Sequence, residues 1–279
     1  MGAAGPWLAG LTAFPVKSCA GVAVRRAGVT AMGLAHDREF MVVDAAEGTF
    51  CSQRQLPRMS VVRPEILDDG ACLSLSAPDF AGLRTPIVAD GARREVSLFG
   101  RWFGPGVDQG DPVAEWFSDF LGRSCRLVRI PPDHGRVGSG ELTGPIAFSD
   151  SGPILVCSLS SLDLLNERIV VRGGEMLPMN RFRPNLVVSG WPEPHTEDRV
   201  RRMRAGGVEL GYAKRCVRCP MPTVRQETGE WNGPEPSRTL RGYRKEPGGG
   251  VSFGMMAAVL REGELAVGDA VDVLEFAAA

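Results

Sequence analysis

Punctuation limits this chain more than any other feature. Thirty-five glycines and 21 prolines, one residue in five of 279, break the apolar runs into short pieces. Proline is excluded from helix interiors and central strands, and glycine weakens both, so long helices are ruled out and short strands joined by turns are favoured. The pieces between the breaks are rich in Val, Leu, Ile and Phe. They predict strands over 7–14, 39–44, 71–76, 95–98, 126–130, 154–158, 185–189, 208–210 and 270–274.

Two segments change their apolar period from two to 3.6. In the first, Asp111 can cap and Pro112 suits the first helical position. Val113, Trp116, Phe117, Phe120 and Leu121 share one face, and Gly122 stops the helix. In the second, Ser160-Ser161-Leu162-Asp163 offers a capping-box-like start, with Leu162, Leu165 and Ile169 as the buried stripe. The fold class is therefore α+β and β-rich. Residues 131–145 hold little apolar surface and read as an ordered loop or junction. At about 100–200 residues per domain, the length suits two units, 1–125 and 126–279. No internal repeat or heptad pattern appears.

Thirty-two Lys+Arg against 33 Asp+Glu leave a net charge of -1, so no whole-molecule field draws the chain to nucleic acid or to an anionic membrane. An anionic ligand must be held by a local cluster. No apolar run approaches the roughly 20 residues of a membrane span. The start, Met1-Gly2-Ala3-Ala4-Gly5-Pro6-Trp7, lacks a basic leader, so a cytoplasmic protein without a membrane anchor is expected. Seven scattered cysteines (Cys19, Cys51, Cys72, Cys125, Cys157, Cys216, Cys219) do not form a disulfide framework, and most should be small buried hydrophobes. Glycine motifs for nucleotide phosphates are missing.

The stretch with most chemistry is Lys214-Arg215-Cys216-Val217-Arg218-Cys219-Pro220-Met221-Pro222-Thr223. A zinc site would need a second cysteine pair, and His36, His134 and His195 stand alone. A redox dithiol would want a helix start, which Pro220 and Pro222 disfavour. What remains is a thiol flanked by Lys214, Arg215 and Arg218: Cys219 or Cys216 as a soft metal ligand or nucleophile, or a solvated basic turn beside a buried cysteine. Lys17, Arg38 and Arg183 each sit where an apolar run begins or ends. If such ends converge, they form a pocket for phosphate and for a heterocycle rich in hydrogen-bonding groups.

Seven segments occur in order: 11–19 (L-T-A-F-P-V-K-S-C), 33–40, 52–57 (S-Q-R-Q-L-P), 146–153 (I-A-F-S-D-S-G-P), Phe182-Arg183-Pro184-Asn185, Arg218-Cys219 and Val267-Gly268-Asp269. Together they resemble the landmarks of the MOSC proteins, in particular the amidoxime-reducing branch. That resemblance implies a MOSC N-terminal β-barrel domain followed by a MOSC β-barrel domain with a few short helices. It also implies a molybdenum cofactor, molybdopterin holding the metal, with Cys219 as the protein's metal ligand and a catalytic residue. Lys17, Ser18 and Arg38 would hold the pterin phosphate. Asp150, Ser151, Arg183, Asn185, Val217, Arg218 and Cys219 would hold the rest, and Asp150 would be a catalytic carboxylate relaying a proton.

The implied activity is reduction of N-hydroxylated compounds, amidoximes and hydroxylamines. The implied alternatives are a sulfur-transfer or cofactor-maturation role using a Cys219 persulfide, and a non-catalytic cofactor carrier. The C-x4-C-x2-C spacing of a plant-type iron–sulfur site is absent, and the chain ends about five residues past Leu274 without a ferredoxin-like domain. Electrons are therefore expected from a separate donor protein of ferredoxin, flavin reductase or cytochrome type. One departure stands out: the family usually reads Thr-Thr-Val-Asp-Pro after the cysteine and aliphatic residues. Here the run is Pro220-Met221-Pro222-Thr223-Val224-Arg225-Gln226, and Arg225 and the prolines are expected to reshape the substrate mouth.

Overall fold

A computed structural model describes residues 5–278, so four of the seven residues read as a leader-free start lie outside the described residues. Its largest sheet has eight strands, in the order Val271–Phe276, Val200–Ala205, Val208–Arg218, Val251–Arg261, Ile154–Ser158, Leu186–Ser189, Trp7–Ala13 and Val22–Val24. The strand Trp7–Ala13 also meets the far edge, where Trp7 bridges Ala270 and the Leu8 amide donates to the Asp269 carbonyl at 2.9 Å. The sheet thus curls back on itself around a core of Leu8, Ile154, Val156, Leu186, Met203 and Met255. Closure removes unpaired edges, which suits short strands with glycine at their corners.

A four-stranded sheet, Phe40–Asp44, Cys125–Arg129, Trp102–Asp108 and Arg93–Leu98, carries the other half. Helix α1 (Asp111–Leu121) packs Val113, Trp116, Phe117 and Phe120 against it and against the hairpin strands Cys72–Ala77 and Phe80–Pro86. Gly122 ends α1 in the left-handed region at φ 65, where glycine has no steric cost. Asp111 is the first residue of the helix, not its cap. Gly110 takes that place, and Arg126 pairs with the Asp111 carboxylate at 2.6 Å instead. Helix α2 (Leu159–Val171) starts earlier than its Ser-Ser-Leu-Asp pattern implies, because Ser158 caps it by accepting from the Ser161 amide. Its predicted stripe of Leu162, Leu165 and Ile169 is buried, and α2 links the parallel strands Ile154–Ser158 and Leu186–Ser189.

The predicted strands are present with ends shifted by a residue or two, except that the one expected over 208–210 runs on to Arg218. Strands 22–24, 26–30, 33–34, 63–67, 80–86, 102–108, 200–205, 251–261 and 263–266 are not anticipated by the sequence, nor is the short helix α3 (Ser237–Arg241). No helix among the described residues is long and apolar enough to cross a membrane. Phe117 is fully buried in the core beneath α1. Phe117→Ala should cost about 3–5 kcal/mol, read as a lower urea midpoint at unchanged slope.

Candidate active site

The strands that build both halves end on one cavity of about 220 Å³. All ten residues singled out from the sequence line it: Lys17, Ser18, Arg38, Asp150, Ser151, Arg183, Asn185, Val217, Arg218 and Cys219. Lys17 and Ser18 follow the first barrel strand, and Arg38 precedes Phe40–Asp44. Arg183 closes a short turn over Met179–Phe182, and Cys219 lies just past the end of Val208–Arg218. Three of these residues, Ser18, Arg38 and Arg183, hold left-handed backbone at φ 71, 52 and 56. Non-glycine residues pay strain for that conformation, and three such residues on one cavity mark a wall shaped against local preference.

The strand carrying Cys216 pairs with Val251–Arg261 in a register that slips, from Arg215 opposite Met255 to Val217 opposite Ser252. The partner strand therefore carries an extra residue there. Gly254, at φ 79, occupies this bulge, and a Cβ on it would meet Cys157 Sγ at 2.6 Å and the Val156 carbonyl at 2.7 Å. Bulges re-aim strands beside sites, and this one turns the end of the cysteine strand toward the cavity.

Charge is concentrated here. Lys17 Nζ donates to the Phe148 carbonyl at 2.7 Å and to the Asp150 carboxylate. Burial pushes the Lys17 ammonium down, and Asp150 restores only part of the loss. In Asp150, burial pushes the carboxyl up, but Lys17, Arg38 and Arg54 outweigh it and hold it below the usual carboxylate range. The two shifts have one cause in common, the attraction between the Lys17 ammonium and the Asp150 carboxylate. Asp150 lies on the wall of a deep cleft, packed round by protein, yet 56% of its side-chain surface still faces the opening.

Arg38 pairs with buried Asp37 at 2.6 Å, donates to Asn185 Oδ1 at 3.1 Å and stacks on Phe14. Arg183 stacks on the same ring, and burial, helped by the charge of Arg38, pulls it down to about 9. Asn185 spends both ends of its amide on protein partners: Thr12, Asp37, Leu155 and Arg38. Arg218 Nη1 donates to Cys216 Sγ at 2.9 Å and Nη2 to the Phe182 carbonyl at 2.8 Å.

Sequence reasoning did not find Phe50, Phe99, Ser149, Met221 or Met256, which also line the cavity. Arg225, expected at the mouth, points elsewhere and approaches exposed Glu175 at 3.5 Å. The prolines do bear on the cavity: Pro220 opens and Pro222 sits within a single turn over Met221–Thr223, whose Met221 lines the wall. Arg181 pins that turn by donating to the Pro222 carbonyl at 2.9 Å.

Comparison with known proteins agrees with this layout. Residues 6–124 match the MOSC N-terminal beta barrel domain and residues 143–272 match the MOSC domain. Mitochondrial amidoxime-reducing component 1 of Mus musculus is 34% identical across 96% of this chain and 82% of its own length. The Homo sapiens protein of the same name gives the same identity and coverage. The molybdenum cofactor sulfurase of Oryza sativa subsp. japonica is 31% identical over 87% of this chain, a match that spans 31% of that longer protein. On these matches the chain belongs to the MOSC family, with a MOSC N-terminal β-barrel domain preceding the MOSC domain.

Proposed function

We propose that this protein binds a molybdenum cofactor in the cavity and reduces N-hydroxylated compounds, with electrons from a separate donor protein. The observation that carries the reading is the meeting of two cysteine thiols, a carboxylate–ammonium pair and four arginine side chains on one cavity. The kinship with amidoxime-reducing components supports it. The donor set fits the group. Ser18 Oγ, Ser149 Oγ and Arg218 Nε are buried without a partner, which is costly unless a ligand supplies acceptors. Among the described residues the only carboxylates at ion-pair distance from Lys17, Arg38, Arg183 and Arg218 are Asp37 and Asp150, leaving positive charge for a phosphate.

In this reading Cys219 supplies the soft sulfur ligand to the metal. Lys17, Ser18, Arg38, Ser151, Arg183 and the Val217–Arg218 segment hold the pterin and its phosphate. Asn185 keeps Arg38 in place. When bound, the cofactor supplies two-electron chemistry at the metal. The overall change is balanced: an amidoxime, two electrons and two protons give an amidine and water. The Lys17–Asp150 pair holds a proton at Nζ, within reach of the cavity, for the oxygen that leaves.

The test is reduction of benzamidoxime with reduced viologen, using protein from a host that makes the cofactor. Activity should track molybdenum content. The alternative, a sulfur carrier using a Cys219 persulfide, draws on the sulfurase likeness. It requires thiocyanate release with cyanide and no N–O reduction, and that result would replace the reductase reading. Removing one charge-assisted contact to a desolvated phosphate should weaken retention about ten-fold or more. Arg38→Ala should therefore purify with substoichiometric pterin per folded protein, and full occupancy would remove Arg38 from the site.

A further inference from the structure

A second hollow of about 570 Å³ adjoins the cavity and shares Phe99, Asp150 and Ser151 with it. Three arginines line it. Arg136 is 6% exposed, donates to the Ala147 and Ser149 carbonyls at 2.8 Å each, and lies 4.7 Å over the Trp102 ring. No carboxylate among the described residues reaches ion-pair distance of it, and burial lowers it to about 10. Arg54 stacks 4.6 Å over Phe99 and its Nε is buried without a partner. Arg101 is exposed and likewise unpaired among the described residues. Burying a guanidinium against carbonyls and a ring, with the charge of Asp150 offsetting only part of the burial, costs free energy that an arriving anion would reduce.

Phe99 forms the wall between the two hollows. It takes φ 56, followed by Gly100 at φ 63, in the three-residue turn between Leu98 and Trp102, a position that Asn or Gly would take without strain. The turn instead holds a bulky ring that is 42% exposed.

Resting on the reductase reading, we infer that the preferred substrates are flat N-hydroxylated compounds with a carboxylate at the far end. The flat body lies along Phe99, the carboxylate meets Arg136 with Arg54 and Arg101, and the N–O group reaches Asp150. A carboxylate matches the guanidinium fork with two parallel hydrogen bonds, which makes arginine the fitting residue.

Two measurements on cofactor-loaded protein test this. In the first, benzamidine and 4-carboxybenzamidine, which have no N–O bond, are titrated against tryptophan fluorescence. The carboxylate should bind at least about ten-fold tighter, and the advantage should shrink as salt rises. In the second, kcat/KM is compared for benzamidoxime and 4-carboxybenzamidoxime with reduced viologen, which leaves out any protein donor. The same preference should appear, and it should largely vanish in Arg136→Gln and in the surface variant Arg101→Gln. Equal affinities in the parent, or a preference that survives both substitutions, would overturn the inference and leave the reductase reading standing. Preferred binding of the carboxylate without reduction of either oxime would instead defeat the reductase reading and keep the anion subsite.

Discussion

Cys219→Ser protein should fail to reduce benzamidoxime, and its bound molybdenum should fall or change its spectrum. A serine hydroxyl is a hard, protonated donor that cannot replace a thiolate. Losing a residue that merely orients a ligand commonly costs about 10–100-fold, so loss of the ligand itself should exceed about 10²-fold. Cys216→Ser gives the contrast. Cys216 accepts a hydrogen bond from Arg218 Nη1 at 2.9 Å, and a serine oxygen can accept the same bond. That variant should stay within about ten-fold of the parent. Viologen-driven rates normalised to metal, with molybdenum measured by mass spectrometry, decide the matter. An inactive Cys216 variant beside an active Cys219 variant would reverse the ligand assignment.

Asp150→Asn should keep its molybdenum and lose turnover by about 10²–10⁴-fold, the usual worth of acid–base assistance. The amide keeps the shape of the carboxylate but not its charge. Buried Lys17 then keeps the Phe148 carbonyl and loses its only ion-pair partner among the described residues. The sign of the pH effect follows. Burial already lowers Lys17, and Asp150 opposes that lowering. Without the carboxylate the ammonium gives up its proton at still lower pH, so the alkaline fall in rate should begin earlier in the variant than in the parent. A variant within about two-fold of the parent, with an unshifted profile, would make Asp150 a turn residue only.

Of the ten cavity residues, Lys17, Arg38 and Arg183 are legible as cations at the ends of apolar runs and Arg218 and Cys219 as part of a basic, cysteine-bearing stretch, whereas Ser18, Asp150, Ser151, Asn185 and Val217 come only from the family resemblance. Phe50, Phe99 and Met256 are not legible, since each looks like ordinary core and reaches the cavity only through pairings between distant strands. The strand over 251–261 went unnoticed for a related reason. Its Phe-Gly-Met-Met-Ala-Ala centre has weak strand preference and is held by burial between two neighbours. In 102–108, Gly-Pro-Gly reads as a turn, yet Gly106 is where a Cβ would strike Val128 at 2.8 Å, so close packing explains the glycine. Arg225 was misplaced because sequence order says nothing about which way a turn faces.

The barrel closed by Trp7–Ala13 has a consequence for how the protein comes into being. Those residues leave the ribosome well before their neighbours in the sheet, Leu186–Ser189 and the Asp269–Ala270 edge. Gly263–Ala266 likewise pairs back to Arg26–Thr30. The opening strands must wait through most of translation, and cutting the chain within 131–145 would leave each part with an unfinished sheet. Such long-range closure is slow and exposes apolar edges meanwhile. Lys17 and Cys219 come to line one cavity only when it is complete, so a ligand of the proposed kind could be taken up only after the late strands are in place.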